Sequence, residues 1–166
     1  MRNYRTQMEA ARKGIITPEM KLVAAKEFRT DEEIKELVAK GQVVICANKL
    51  HTCIDPNGIG SMLRTKINVN LGVSRDCKDY DIELQKVMSA VNLGAEAIMD
   101  LSSHGDTQPF RKRLIAECPA MIGTVPVYDS VIHYQRDLAT LTAKDFVDVV
   151  RLHAADGVDF ITLHCG

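Results

Sequence analysis

The first forty residues carry apolar positions at the spacing of short amphipathic helices. Thr17 is followed by proline, and Thr30 begins a Thr-Asp-Glu-Glu pattern ahead of an apolar run that starts at Ile34. A threonine accepts a hydrogen bond from a first-turn amide, and proline fits the first helical position. A glutamate three residues after the threonine completes a capping box. The pattern therefore predicts helices across residues 4–39, which we expect to form an N-terminal helical arm (residues 1–40).

The pattern changes after residue 41, where short apolar segments alternate with longer amphipathic ones. The predicted strands are residues 43–46, 66–71, 97–101, 122–127 and 159–164. The predicted helices are residues 80–93, 107–117 and 142–155. Thr142 is a helix cap, and the glycines at positions 94 and 157 supply helix stops.

This alternation predicts an α/β fold, because parallel strands need a crossover connection and their helices then cover the sheet. A barrel and a doubly wound sheet both fit. The segment Gly58-Ile59-Gly60 lacks the third glycine of a phosphate-binding fingerprint and precedes a predicted strand, while Asp55 to Gly58 has the composition of a turn. We therefore expect residues 41–166 to form the first part of a (β/α)8 TIM-type barrel. It is only a part because five strands are predicted, whereas a closed barrel has eight.

Composition narrows the class of protein. The 21 basic and 22 acidic residues leave a net charge of -1, which argues against a nucleic-acid binder. No apolar run approaches the roughly 18 residues of a membrane span, and no secretory signal opens the chain. The five cysteines are widely spaced without a Cys-x-x-Cys pair, which predicts no disulfide framework and no metal site within this chain. The basic run at residues 111–113 is typical of a solvated helix face. We expect a cytoplasmic protein.

Unusual polar or soft side chains lie at four successive predicted strand ends. In parallel barrels the carboxyl ends of strands carry the chemistry, and here they end in Asn68 and Asn70, Asp100 with Ser102, Tyr128 and His164, with Met99 directly before Asp100. Each has a structural alternative: asparagine caps turns, methionine fills cores, tyrosine can start a helix, and histidine can be an internal hydrogen-bonded residue. Their recurrence at four strand ends favours a binding site.

Six blocks of sequence carry a resemblance in order along the chain, at residues 6–20, 47–48, 66–72, 97–102, 122–128 and 156–160. Together they resemble the catalytic region of the phosphomethylpyrimidine synthase (ThiC) family, including its 5-hydroxybenzimidazole synthase paralogues. The Gly-Thr-Val-Pro motif at residues 123–126 is the most specific of these blocks.

The resemblance implies a radical S-adenosylmethionine enzyme with a barrel catalytic domain. Such an enzyme rearranges aminoimidazole ribotide to hydroxymethylpyrimidine phosphate in thiamine biosynthesis, or to 5-hydroxybenzimidazole for the lower ligand of a cobamide. The substrate contacts of the family fall here on Asn70, Met99, Tyr128 and His164. The resemblance also implies a 4Fe-4S cluster, S-adenosylmethionine and a zinc ion with ligands beyond residue 166, a homodimer, and a chain that is inactive without the rest of the enzyme.

The sequence departs from the family pattern at two positions. Cys46 stands where the family has proline, and Cys165 stands where it has alanine after the histidine. The changed neighbour of His164 leaves the product open and modestly favours the benzimidazole branch. Two other classes also stay open. An ordinary barrel lyase or aldolase would use a Schiff-base lysine, for which Lys66 is the only candidate in a central strand, although its alternation phase is unfavourable. A non-catalytic binding or assembly fragment would use its helical arm to dock a partner.

Overall fold

A computed structural model describes residues 3–164 of the chain. Contacts divide it into two compact units, each of which is described by itself. The first comprises the chain up to Ala47 together with Pro56–Lys66, and the second comprises Asn48–Asp55 and the chain from Ile67 onward. Cys165 lies outside the described residues. Within the described part of the chain, no helix has the length and apolar character needed to cross a membrane.

The first unit consists of three short helices and a two-stranded antiparallel sheet. The helices are α1 (Gln7–Arg12), α2 (Pro18–Lys26) and α3 (Asp31–Ala39), and the strands are β1 (Val43–Cys46) and β2 (Asn57–Gly60). The predicted caps are confirmed: the Thr17 hydroxyl accepts from the amide of Met20 at 3.1 Å, and Thr30 forms a complete capping box with Glu33. These local signals explain why the helical arm was predictable.

The pairing of β1 and β2 corrects two predictions. β1 belongs to this antiparallel pair and not to the parallel sheet. Asn57 and Gly58 lie in β2, so the predicted turn from Asp55 to Gly58 is wrong. The reason for a glycine here is packing, because a Cβ on Gly58 would come within 2.8 Å of the Val23 and Leu63 side chains.

The second unit is built on a four-stranded parallel sheet with helices in the connections. The strands, in sheet order, are β3 (Asn68–Leu71), β4 (Ala97–Asp100), β5 (Met121–Thr124) and β6 (Phe160–Ile161). The helices are α4 (Tyr80–Asn92), α5 (Gln108–Glu117), α6 (Pro126–Tyr134) and α7 (Ala143–Asp156), with a 3-10 turn at Leu138–Thr140. The predicted α/β class and parallel sheet are confirmed, whereas the sheet of the described residues is open and shows no closed barrel.

The chief difference from prediction lies after β5. The strand predicted over residues 122–127 ends at Thr124, and the helix α6 begins at Pro126. Proline lacks the amide proton that a strand ladder needs, but it fits the first turn of a helix. The predicted stop at Gly157 is confirmed, since this residue caps α7 in the left-handed conformation at φ 107°.

The parallel sheet has two chemically different faces. One face packs against α4 and α5 in an apolar core. That core includes Val69, Ile98, Ile122, Leu84, Val87, Phe110 and Leu114. Because side chains alternate along a strand, Asn70 and Met99 project from the opposite face. Asn70 and Met99 are therefore on the face of the sheet that these two helices do not cover.

Candidate functional site

Strand register places two of the predicted site residues side by side. Asn70 in β3 is the register partner of Met99 in β4, and parallel partners project from the same face. Met99 is 9% exposed, whereas Asn70 is exposed and its amide oxygen accepts from Nδ2 of Asn68 at 3.1 Å. Asn70 lies within a strand, so the alternative that it caps a turn is wrong. This face thus offers an amide next to a thioether.

The other two predicted residues also form a pair. Tyr128 is the third residue of α6 and is 47% exposed, and its ring centroid lies 6.0 Å from that of His164 with the planes tilted by 47°. Such tilted contacts are a preferred geometry of aromatic pairs. The alternative that Tyr128 starts a helix is correct, since β5 has already ended. His164 is exposed, so it is not an internal histidine.

These two pairs define the candidate site on the second unit. An asparagine amide and an imidazole both donate and accept hydrogen bonds, which suits a polar heterocycle. A methionine and a tyrosine supply apolar faces against which a flat ring can pack. Each pair thus places a group that can hydrogen-bond beside one that can pack against a ring.

Phe160 is a further residue of this sheet face that the sequence pattern did not single out. Gly123 is the register partner of both Met99 and Phe160. A Cβ on Gly123 would lie 2.3 Å from carbons of the Phe160 ring, so the ring covers this glycine. The signal available in the sequence was the glycine inside a strand, which often marks a close approach of another group.

A buried ion pair ties residues 48–55 to the sheet of the second unit. Nδ1 of His51 lies 2.7 Å from Oδ2 of Asp159, and both side chains are fully buried. The other ring nitrogen, Nε2, lies 2.7 Å from the carbonyl oxygen of Cys118. Burial lowers the pKa of His51, but the hydrogen bond and charge of Asp159 outweigh it, so the pKa is raised. Both ring nitrogens face acceptors, which an imidazolium satisfies.

A second buried carboxylate lies at the end of β4. Asp100 is 5% exposed, and its Oδ1 accepts from the backbone amide of Ser102 at 2.9 Å. Burial raises the pKa of this carboxyl group, against the opposing effect of the Ser102 hydrogen bonds. The hydroxyl oxygen of Ser102 in turn accepts from the amide of Val73 at 3.0 Å. Asp100 therefore fastens the turn that follows β4.

The described residues do not fit a metal ion or an iron-sulfur cluster. Over residues 3–164 there is no group of three or more His, Cys, Asp or Glu side chains placed to hold a metal. Burial raises the pKa of Cys118 to about 11, which opposes the thiolate form that a cluster needs. Cys77 donates instead to Glu83 at 3.1 Å.

The position of Lys66 also argues against the Schiff-base alternative. Lys66 lies outside the parallel sheet, in the first unit, and its ammonium group is paired with Glu27. Both side chains of this pair are nearly buried, at 5% and 3% exposure. A Schiff-base lysine of a barrel needs a free amine at a strand end, whereas Lys66 precedes β3 and its amine is bonded to Glu27 and to the carbonyl oxygen of Arg64. The ordinary lyase or aldolase reading is therefore disfavoured.

Comparison with known proteins shows the family to which this sequence belongs. The profile of the Radical SAM ThiC family matches residues 6–166. A phosphomethylpyrimidine synthase of Alkaliphilus oremlandii is 59% identical over 163 residues, which are 98% of this chain and 37% of that protein. Proteins of the same name match over 164 residues in Pelotomaculum thermopropionicum (58% identical) and Clostridioides difficile (56% identical). Each of these alignments covers 99% of this chain and 38% of the relative.

Proposed function

We propose a function from the premise that this chain belongs to the Radical SAM ThiC family, as its sequence blocks predicted. The chain spans 37% to 38% of the length of these relatives, so the activity concerns the whole enzyme. The enzyme converts aminoimidazole ribotide to hydroxymethylpyrimidine phosphate for thiamine. This chain contributes part of the wall that binds the ribotide.

The observation that carries the proposal is the register of Asn70 with Met99. Two residues from different strands become neighbours on the sheet face that is free of α4 and α5. The contact between Tyr128 and His164 supplies a second wall on the same unit. An amide and an imidazole would hydrogen-bond the ribotide, and the methionine and the tyrosine would pack against its imidazole ring.

The architecture that this function requires is a (β/α)8 barrel, of which the parallel sheet would be one part. The four strands follow one another in sheet order with helices in the connections, as in such a barrel. The apolar core lies on the helix side, so the face with Asn70 and Met99 would be the barrel interior. The polar ends of the strands would then meet at the catalytic end.

The cofactors of the enzyme are inferred from the family. A radical S-adenosylmethionine enzyme uses a 4Fe-4S cluster and S-adenosylmethionine, which together supply the radical chemistry. Since residues 3–164 do not fit a cluster, the part of the chain that the structure describes would bind and orient the substrate and exclude water. The zinc ion, the homodimer and the cytoplasmic location stay predictions.

Substitution of the wall residues in the full-length enzyme tests this proposal. We expect Asn70→Ala and His164→Ala each to weaken aminoimidazole ribotide binding about tenfold in isothermal titration calorimetry, because each removes a hydrogen-bonding partner. Asn92→Ala and His133→Ala are matched controls, since both residues are exposed on helices of the same unit. Unchanged binding in both wall variants would refute the assignment.

The branch that makes 5-hydroxybenzimidazole from the same ribotide is the second candidate. It rests on the cysteine that follows His164, in a part of the chain that the structure does not describe. Chromatography and mass spectrometry of the product from the full-length enzyme distinguish the two branches. A pyrimidine phosphate supports the first candidate, and a benzimidazole supports the second.

A further inference from the structure

The helix that carries Tyr128 lacks the usual means of fixing its start. Val125, the residue directly before α6, has no side-chain group that could cap the helix with a hydrogen bond. The helix spans only nine residues. Its buried positions are Pro126, Asp129 and Ser130, two of which are polar. Isolated helices of this length are marginal in water. Contacts to other elements must therefore hold the first turn of α6 in place.

Asp129, the residue next to Tyr128, makes those contacts. Its Oδ1 accepts from the hydroxyl of Thr107, directly before α5. Its Oδ2 lies 2.7 Å from Nε2 of His153 in α7 and accepts from Nη1 of Arg111 in α5 at 3.3 Å. Both carboxylate oxygens are thus used, and the residue joins three helices of the second unit.

The carboxyl group of Asp129 is ionised in this network. Burial raises the pKa of Asp129, but hydrogen bonds from His153 and Thr107 and the charge of Arg111 outweigh it and hold the pKa at about 2. Arg111 is 1% exposed, so it does not belong to a solvated helix face as its sequence context suggested. Its Nε also donates to Asp156 at 3.0 Å. Asp129 is therefore a charged, paired group.

The network also reaches the sheet. Nδ1 of His153 lies 2.8 Å from the hydroxyl oxygen of Thr124, the last residue of β5. The chain runs from Thr124 through Pro126 to Tyr128, so the same set of contacts holds both ends of this short segment. A charge-assisted network of this kind is rigid because its members have few alternative partners when buried.

We propose that Asp129 is a positioning residue that fixes Tyr128 in the substrate wall. The inference rests on the proposed function, since it assigns Tyr128 a contact with the ribotide. Asp129 itself does not touch the substrate: the residue is 6% exposed, and its carboxylate is engaged by α5 and α7. Loss of the carboxylate would release the first turn of α6 and move the Tyr128 ring away from its partner His164.

A double-mutant cycle in the full-length enzyme tests the proposal, with the dissociation constant for aminoimidazole ribotide as the readout. We expect Asp129→Ala to raise this constant about tenfold when Tyr128 is present, within the range of coupled neighbours. In a Tyr128→Ala background the same change should raise it about twofold or less, because the ring to be positioned is gone. A merely structural role would act equally in both backgrounds.

The matched control is His51→Gln, which disrupts another buried histidine-aspartate pair in the same unit, with its hydrogen bonds to Asp159 and Cys118 and not to α6. Equal factors in both backgrounds, or an equal loss of affinity in this control, would overturn the proposal. Unchanged binding in Tyr128→Ala alone would instead overturn the proposed site together with the inference. Should Asp129→Ala not fold, the same cycle is run with Asp129→Asn and Thr107→Val, for which the same coupling is expected and its absence is equally decisive.

Discussion

Replacing His51 with glutamine tests the energetic role of the buried pair with Asp159. The substitution removes the cation while keeping a side chain that can donate one hydrogen bond. Removing one partner of a buried ion pair costs about 3–5 kcal/mol, because the other charge is left uncompensated. Asp159 keeps two donors, since the amides of Asn48 and Ile122 bond its oxygens at 2.7 Å and 2.8 Å. We therefore expect His51→Gln to lower the free energy of unfolding by about 3 kcal/mol, at the lower end of this range.

The pH dependence follows from the raised pKa of His51. A histidine whose pKa is higher in the folded state than its ordinary value of 6.5 stabilises the fold fully below that value. This contribution is lost as the pH rises through the folded pKa, because the neutral ring can donate only one of its two hydrogen bonds. The difference in unfolding free energy between wild type and His51→Gln should therefore shrink by about 1–2 kcal/mol from pH 6 to pH 9.

Equilibrium urea denaturation followed by far-ultraviolet circular dichroism measures this difference, because the chain contains no tryptophan for fluorescence. Hydrogen exchange at the amides of Asn48 and Ile122 reports the same pair locally, and both should exchange faster in the variant. His133→Gln, at an exposed position, should change stability by less than about 0.5 kcal/mol. A difference that is constant from pH 6 to pH 9, or grows with pH, would refute the reasoning.

Two further predictions concern the second unit. Gly72→Ala should lower the free energy of unfolding by about 2–5 kcal/mol, because φ is 148° and the new Cβ would lie 2.5 Å from the amide nitrogen of Ser102. Gly94 also has a positive φ but open space around it, so Gly94→Ala should lower it by about 1–2 kcal/mol. Thermal midpoints of the pair check this, and equal midpoints would contradict it. The pKa of Asp100 is raised above its ordinary value of 3.8, so the stability of the fold falls as the pH rises from 3.8 through the folded pKa. At pH 8 the free energy of unfolding of Asp100→Asn should therefore equal or exceed that of wild type. A loss above about 1 kcal/mol in urea denaturation would show that the charge is needed.

Local signals made part of the fold predictable from the sequence. The helices of the first unit begin at threonine caps, and α7 begins at Thr142 and ends at Gly157. The cores of β4 and β5 were found as apolar runs between helical segments. These features depend on residues within a few positions of one another, so a linear pattern contains the information.

The candidate site was predictable only as a set of positions. The polar ends of predicted strands indicated Asn70, Tyr128 and His164, and the family resemblance pointed to these residues and to Met99. The structure adds which of them are neighbours: Asn70 with Met99 by strand register, and Tyr128 with His164 by ring contact. Register depends on how whole strands pair, which no single strand encodes.

The sequence by itself determined the family, the α/β class and the capped helices, because these rest on motifs and local periodicity. Tertiary structure alone decided the pairing of β1 with β2 and the buried network of Asp129. It also decided that Arg111 is a buried ion-pair partner. In each case the deciding contact joins residues far apart in the chain, and the energy of burying a polar group depends on the partner that it meets there.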